Sequence, residues 1–430
     1  MLQIKSLNLR GDFIKNALIM MSGTGLSQII PLVFSPILTR LYSPYDFGKL
    51  AIFMAFCSIL TIISTGLYEL SILRPKKDIL AFNILILIII LSLITSILVI
   101  FFVFMSNLFF DNFIDTSLTL DSLLLLPTGV FFTGTFQGLN YWLIRKKQYK
   151  IINASKVSQS LSMVLISIIL GYFGFVKLGL IIGFIAGAIF SVIPLLFIVF
   201  RRRFLISQKH IIDVAKTYID YPKLLMPTSL MNTSASQAPI FFITKYFSSA
   251  LVGSYSFASR ILVAPVGVVS VAIGQLYFKN ISEIANSRLQ NLRPTFMKTT
   301  VTLAFASFVL FTPFFLFGKD IFQILFGKSW IIAGTYVEII SIAVFVKFIV
   351  SPLSTIFMAT NNLRFVATWQ TVYFCTTITL FFVGRKFTFE NLLWLYVIHE
   401  IVLYSVYFTL MIIVINRFDA KLNSEQLILH

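Results

Sequence analysis

Residues 79–105 contain no charged side chain and exceed the ~20 apolar residues that an α-helix needs to cross a bilayer. This kind of stretch constrains the fold more than any motif. Backbone polar groups in hydrocarbon must be satisfied within a helix or a closed barrel, and uninterrupted apolar runs of this length suit only the helix. Similar stretches recur along the chain at 14–39, 47–70, 79–105, 119–142, 153–173, 178–200, 222–244, 250–278, 295–317, 330–358, 363–383 and 392–415. The expected fold is therefore an all-α polytopic membrane protein with about twelve transmembrane helices.

Loop charge tests that count. The termini and even-numbered loops carry about 24 lysines and arginines, against about eight on the other side, Arg40, Lys49 and Lys245 among them. The opposite side also holds Asp111, Asp115 and Asp121 in a loop without a cation. This asymmetry predicts an even number of spans and places both termini in the cytoplasm. It also accounts for the formal charge of +18 without a nucleic-acid partner. With 58% hydrophobic and 12% charged residues, no stretch is polar enough for a separate soluble domain. Lys5, Arg10 and Lys15 precede a long apolar run with no small-residue cleavage site, which reads as an uncleaved first helix. Cys57 and Cys375 both lie in apolar segments, so no disulfide framework is expected.

The chain repeats itself at half-length. Thr39–Gly48 reads TRLYSPYDFG and Thr244–Gly253 reads TKYFSSALVG. Thr39, Arg40, Tyr42, Ser43 and Gly48 answer Thr244, Lys245, Phe247, Ser248 and Gly253 at a constant offset (253 − 48 = 205). Two six-helix bundles related by this repeat are expected, at 1–205 and 222–430. The segment 206–221 links them as an amphipathic helix on the inner membrane surface or as a solvated linker kept inside by its charge.

The first and seventh spans occupy equivalent places and are the most polar. The first holds Gln28 with Pro31 and Pro36; the seventh holds Asn232 and Gln237 between Pro227 and Pro239. Proline should bend both helices. Freed carbonyls and amide side chains are tolerable where they line a wet cleft, or where small residues pack helices tightly together. Gln28, Asn232 and Gln237 are the candidate cleft residues. Arg260 lies about ten residues into the eighth span, on a face shared with Ser256, Ala264 and Gly267. An arginine at that depth needs water, an anion or a partner. Lys347 and Glu338 share the tenth span, and His399 and Glu400 the twelfth. Arg260 and Lys347 are candidate substrate contacts. Glu338, His399 and Glu400, expected at similar depth, are candidates for ion coupling, or else a structural ion-pair set joining helices. Glu69, at the end of the second span, reads as snorkelling toward the interface.

Several chemistries are absent from the sequence. It has no phosphate loop of the GxxxxGK[ST] type and no metal-ligand spacing around His210, His399 and His430. No cofactor, metal or catalytic group is expected.

The stretches LTRLYSPYDFGKLAIF, GLYELSILRPKKD (Gly66–Asp78), YPKLLMPTSLMNTSASQ (Tyr221–Gln237) and SYSFASRILVAPV (Ser254–Val266) resemble the bacterial lipid-linked oligosaccharide flippases. These are the polysaccharide biosynthesis, or O-antigen and capsule repeat-unit, transporters of the multidrug/oligosaccharidyl-lipid/polysaccharide exporter superfamily. The likeness covers essentially the whole chain in length, span count and motif order. It implies a V-shaped pair of bundles around a central cleft. It also implies transfer of undecaprenyl-diphosphate-linked oligosaccharide to the outer leaflet of the bacterial cytoplasmic membrane, by alternating access and without enzymatic chemistry. Membrane lipids and other polysaccharide assembly proteins are the further partners it implies. Arg260 falls where related peptidoglycan-precursor flippases place a cavity arginine. Those relatives carry further arginines in the first span, whereas this chain has none between Lys15 and Arg40. Three other readings share parts of this evidence: a cation-coupled drug exporter of the same superfamily, a membrane polymerase or ligase acting on the same lipid-linked glycan, and a non-transporting scaffold of the assembly complex.

Overall fold

The computed structural model describes residues 23–109, 120–201, 206–287 and 290–429. Lys5, Arg10 and Lys15 with the start of the first span, and Asp111, Asp115, Arg202, Arg203 and Arg288, lie outside the described residues. Among the described residues all regular structure is helical. In chain order the α-helices are α1 (23–33), α2 (Ser35–Leu41), α3 (Pro44–Thr65), α4 (Asp78–Phe109), α5 (Leu120–Arg145), α6 (Tyr149–Tyr172), α7 (Val176–Phe200) and α8 (Gln208–Thr217). They continue with α9 (Met226–Tyr246), α10 (Ser249–Ser287), α11 (Arg293–Phe326), α12 (Ile331–Leu353), α13 (Ile356–Ala359), α14 (Leu363–Gly384) and α15 (Phe389–Leu429).

Each expected span coincides with a helix, the first with α1 and α2 together. Nine helices among the described residues are long and apolar enough to cross a membrane. The other three positions belong to α1–α2, α9 and α10. The helix of the first span is interrupted at Phe34, between Pro31 and Pro36. The second span ends at Thr65, five residues short of the expected bound, because Gly66 and Leu67 both turn left-handed with φ near 55°. A 3₁₀ turn, Tyr68–Leu73, follows.

By packing, the chain forms two compact units, Met1–Ser256 and Phe257–His430. The unit boundary falls inside α10, beyond the linker between the two sets of spans, because α9 packs along α3. In the first unit α3 is central and touches α4, α5, α7 and α9. At one end the cation-rich segments converge. Arg145 Nε donates to Asp78 Oδ1 at 3.0 Å, its Nη1 donates to the Ile72 carbonyl at 3.0 Å, and Lys146 pairs with the same aspartate. Helix α8 docks at this end. Val214 is buried with Ile211 and Ala215 against the core around Phe82 and Trp142, and Tyr68 Oη donates to the Ala215 carbonyl at 2.9 Å. The linker helix therefore spends part of its apolar face on the protein itself, leaving Ile212 exposed.

The repeated motif builds the opposite end of this unit. Ser43 and Asp46 form a reciprocal capping box at the start of α3, with Pro44 in the first turn. Tyr42 Oη donates to the Ser167 carbonyl at 2.6 Å, and Gly171 and Gly179 leave room for its ring. Lys49, counted with the loop cations, is buried inside α3, its Nζ 4.4 Å from the centre of the Tyr45 ring. The two copies of the motif meet through their equivalent glycines. A Cβ on Gly48 would run into the Ser249 carbonyl, and one on Gly253 into the Pro44 carbonyl. Ser249 and Pro44 are themselves related by the same offset (249 − 44 = 205), so the contact is reciprocal.

In the second unit α11 packs on α12, and α12 on α15. Helix α11 breaks at Phe317, where the backbone leaves helical geometry, and a break of this kind frees backbone N–H groups for other acceptors. Glu338 supplies one from α12: its Oε1 accepts from the Lys319 N–H at 2.9 Å. Asp419, near the end of α15, caps the start of α11 by accepting from the Leu292 and Arg293 N–H groups at 2.7 and 3.1 Å.

Candidate transport site

A cavity of about 610 Å³ lies inside the first unit, walled by α3, α5, α7, α9 and the turn after α3. Helix α3 separates two environments. Ser58, Thr61 and Thr65, spaced three and four residues apart, line the cavity. Ile52, Phe56, Leu60 and Ile63 on its other side line an apolar groove of about 840 Å³ that ends at Thr244 and Lys245. Across the cavity wall Thr61 and Thr133 share a 2.7 Å hydrogen bond. Gln137 and Tyr141 continue this lining on α5, and Ser229, Asn232 and Thr233 add that of α9. Hydroxyl and amide groups donate and accept alike, which suits a polyhydroxylated ligand.

Glu69 also lines this cavity and is the residue that sequence reasoning missed. It does not snorkel: it is 6% exposed, and its Oε2 is buried without a hydrogen-bond partner. The left-handed pair Gly66–Leu67 reverses the chain so that Glu69 turns inward while its neighbour Tyr68 holds α8. Burial pushes the Glu69 carboxyl above its ordinary value, opposed by hydrogen bonds from its own N–H and from the Thr65 hydroxyl. The available signal was local: a glycine directly after the last hydroxyl of an apolar helix marks a helix end and so places the acid beyond it.

The expected amides do not all meet here. Asn232 lines the cavity, whereas Gln237 is half-buried elsewhere on α9 and Gln28 lies on α1 with its Oε1 buried and without a partner. On α1 the nearby Thr24 hydroxyl accepts from Lys156 Nζ at 3.0 Å.

The second unit holds Arg260, Lys347, Glu338, His399 and Glu400. Arg260 is half-buried on α10, one turn after Phe257, whose ring is clamped by Phe322, Phe326 and Trp330. Lys347 and Glu400 join α12 to α15 as an ion pair, Nζ to Oε2 at 3.4 Å, and Glu400 Oε1 accepts from Tyr373 Oη at 2.6 Å. The rings of Tyr404 and Tyr373 lie 5.3 and 5.8 Å from the ammonium. His399 shares a 2.9 Å hydrogen bond with Thr376. Glu338 is not part of this group: its carboxylate faces Lys319, with Oε2 3.6 Å from Nζ.

Because Glu400 is only 1% exposed, removing its counter-charge strands a buried carboxylate. Lys347→Met is expected to cost about 3 kcal/mol, at the lower end for a broken buried pair because Lys347 keeps partial access to its surroundings. Thermal unfolding in detergent should show the loss, and adding Glu400→Gln should recover most of it. A melting temperature unchanged by Lys347→Met would show that the pair holds nothing together.

Comparison with known proteins places this geometry. A family described as "Polysaccharide biosynthesis protein" matches residues 37–335. No curated protein matches in sequence. Among solved structures, a multidrug resistance MATE family transporter of the MOP superfamily in an inward-facing conformation superposes with a TM-score of 0.70 at 13% identity, covering 94% of this chain and 98% of that one. The lipid II flippase MurJ in an inward closed conformation gives 0.69 at 14% identity, covering 94% and 90%. A MOP superfamily transporter from Pyrococcus furiosus, whose binding pocket is described as having reverse polarity, gives 0.59 at 13% identity, covering 94% and 95%. The fold is that of the MOP superfamily transporters, and with the match spanning more than half its length the chain belongs to the polysaccharide biosynthesis protein family.

Proposed function

We propose that this protein flips an undecaprenyl-diphosphate-linked oligosaccharide from the inner to the outer leaflet of the bacterial cytoplasmic membrane by alternating access. The observation that carries the reading is a cavity walled by hydroxyls and amides, inside a membrane chain of the polysaccharide biosynthesis family. Sugar hydroxyls and a diphosphate are expensive in hydrocarbon unless they find hydrogen-bonding partners. The cavity of the first unit supplies such partners for the sugars, with Asn232 among them; in the second unit, Arg260 is the guanidinium we assign to the diphosphate. Gln28 and Gln237 border the path. The end of the first unit that gathers Arg74, Arg145, Lys146 and the cations of α8 is cytoplasmic by its charge, and the alternation of loop charge along the sequence is our ground for assigning both termini to the cytoplasm. The repeat divides the chain into halves at 1–205 and 222–430, linked by α8. The chain has no nucleotide-binding loop, so an ion gradient or downstream consumption of the product drives transfer. His399 and Glu400 are the groups we assign to ion coupling; Glu338 is already engaged in capping α11.

Sealed liposomes with a fluorescent polyprenyl-diphosphate disaccharide test the reading. The protein should make the inner-leaflet pool accessible to an external glycosidase without nucleotide, and absence of that exposure at any ion gradient would end the proposal. One observation favours a second reading, export of a cationic small molecule: the cavity holds a carboxylate. Dye efflux from the same liposomes, with no movement of the glycolipid, would select it.

A further inference from the structure

We propose that the cavity of the first unit is the glycan subsite and that Glu69 makes it selective by charge, admitting neutral or amino-bearing sugars and refusing sugars that carry a carboxylate. This inference rests on the flippase reading. Its first support is Glu69 Oε2, a buried oxygen without a protein donor that faces a cavity. A stranded acceptor of this kind is costly to the fold. It becomes favourable once a ligand donates to it, through a hydroxyl or an ammonium group.

The second support is how firmly the acid is held. Leu67 adopts a left-handed conformation, which side-chain-bearing residues visit at a cost. The turn is kept in that shape from both sides, by Tyr68 on the Ala215 carbonyl and by Arg145 on the Ile72 carbonyl. Burial pushes the carboxyl above its ordinary value, and the residue's own N–H and the Thr65 hydroxyl oppose that push. A surface glutamate would need none of this.

The third support is what stands beside it. The described lining contains no lysine, arginine or histidine. A second carboxylate brought into the same low-dielectric space would meet repulsion with no compensating cation. Thr61, Thr133, Gln137 and Tyr141 serve hydroxyls of either polarity, and Phe184 offers an apolar face to the C–H side of a sugar ring. Chemistry on this wall therefore accepts a neutral hexose or an amino sugar and rejects a hexuronic acid.

The test uses the full chain in sealed liposomes and two probes, polyprenyl-diphosphate disaccharides that differ only at one sugar C6, a hydroxymethyl in one and a carboxylate in the other. Wild type should flip the neutral probe at least about tenfold faster, the discrimination expected of an unpaired like charge. Glu69→Gln should raise the rate of the acidic probe and bring the ratio to within about twofold, while Glu69→Asp keeps the preference. A wild-type ratio near one overturns the charge selectivity whatever the variants do. So does a ratio that Glu69→Gln, folded by its unfolding profile, leaves unchanged. If wild type moves neither probe, the flippase reading falls and takes this inference with it, a result distinct from equal movement of both.

Discussion

Arg260→Ala is expected to abolish movement of the lipid-linked glycan while the protein still accumulates in the membrane. The guanidinium stays protonated at any physiological pH, and its planar fork matches two diphosphate oxygens. Hydrogen bonds to charged groups contribute about 1.5–3 kcal/mol each, so the loss should be tenfold to a hundredfold or more in flipping rate. Arg260→Lys keeps the charge without the fork and should retain partial activity. Packing around this part of α10 comes from Phe257 in its aromatic clamp, so truncating Arg260 leaves that anchor in place. A structural pairing with Glu338 predicts instead a fall in abundance that Glu338→Gln restores. The contacts of Glu338 with Lys319 make that rescue unexpected. Flipping assays beside membrane abundance separate the outcomes, and normal transport by Arg260→Ala would remove the residue from the substrate path.

The second large effect concerns the reciprocal glycines. Any side chain at Gly48 or Gly253 would drive a carbon into a backbone carbonyl, of Ser249 or of Pro44, and a backbone atom cannot step aside as a rotamer can. Gly48→Val and Gly253→Val should each cost upward of about 3 kcal/mol, the range of severe overpacking, with loss of transport. Gly174→Ala is the control. It carries a φ of +80° but has open space around it, so it should show only the smaller conformational cost of about 1 kcal/mol. Equal melting temperatures for Gly253→Val and wild type would mean that the contact does not hold the corner.

The membrane helices were legible because lipid imposes one requirement on every span, and composition records it residue by residue. The corner at Thr39–Gly48 was legible too, since Ser43, Pro44 and Asp46 form a local capping signal and the offset of 205 residues exposes the repeat. The contacts that decide what each charge does were not legible. Glu338, His399 and Glu400 look alike in sequence, yet one caps a break in α11, one bonds a threonine and one neutralises Lys347. These partners lie 19, 23 and 53 residues away, and no helical period relates them. Lys49 looked like a loop cation because it stands two residues past the expected start of the span at 47, whereas α3 begins three residues before that start, at Pro44. Glu69 was misplaced for the converse reason: two left-handed residues ended the helix before it.

The meeting of Gly48 with Gly253 has a mechanical consequence. Where helices cross through interlocked side chains, parting them means re-sorting rotamers, and each trapped conformer adds friction to the motion. At this crossing backbone rests on backbone, with nothing interdigitated. Parting such a joint would lose dispersion contacts that depend steeply on separation and would free no side chain that must later be ordered again. Because the contact is reciprocal under the repeat, a displacement of one helix loads its counterpart equally, and the joint has no preferred side from which to wear open.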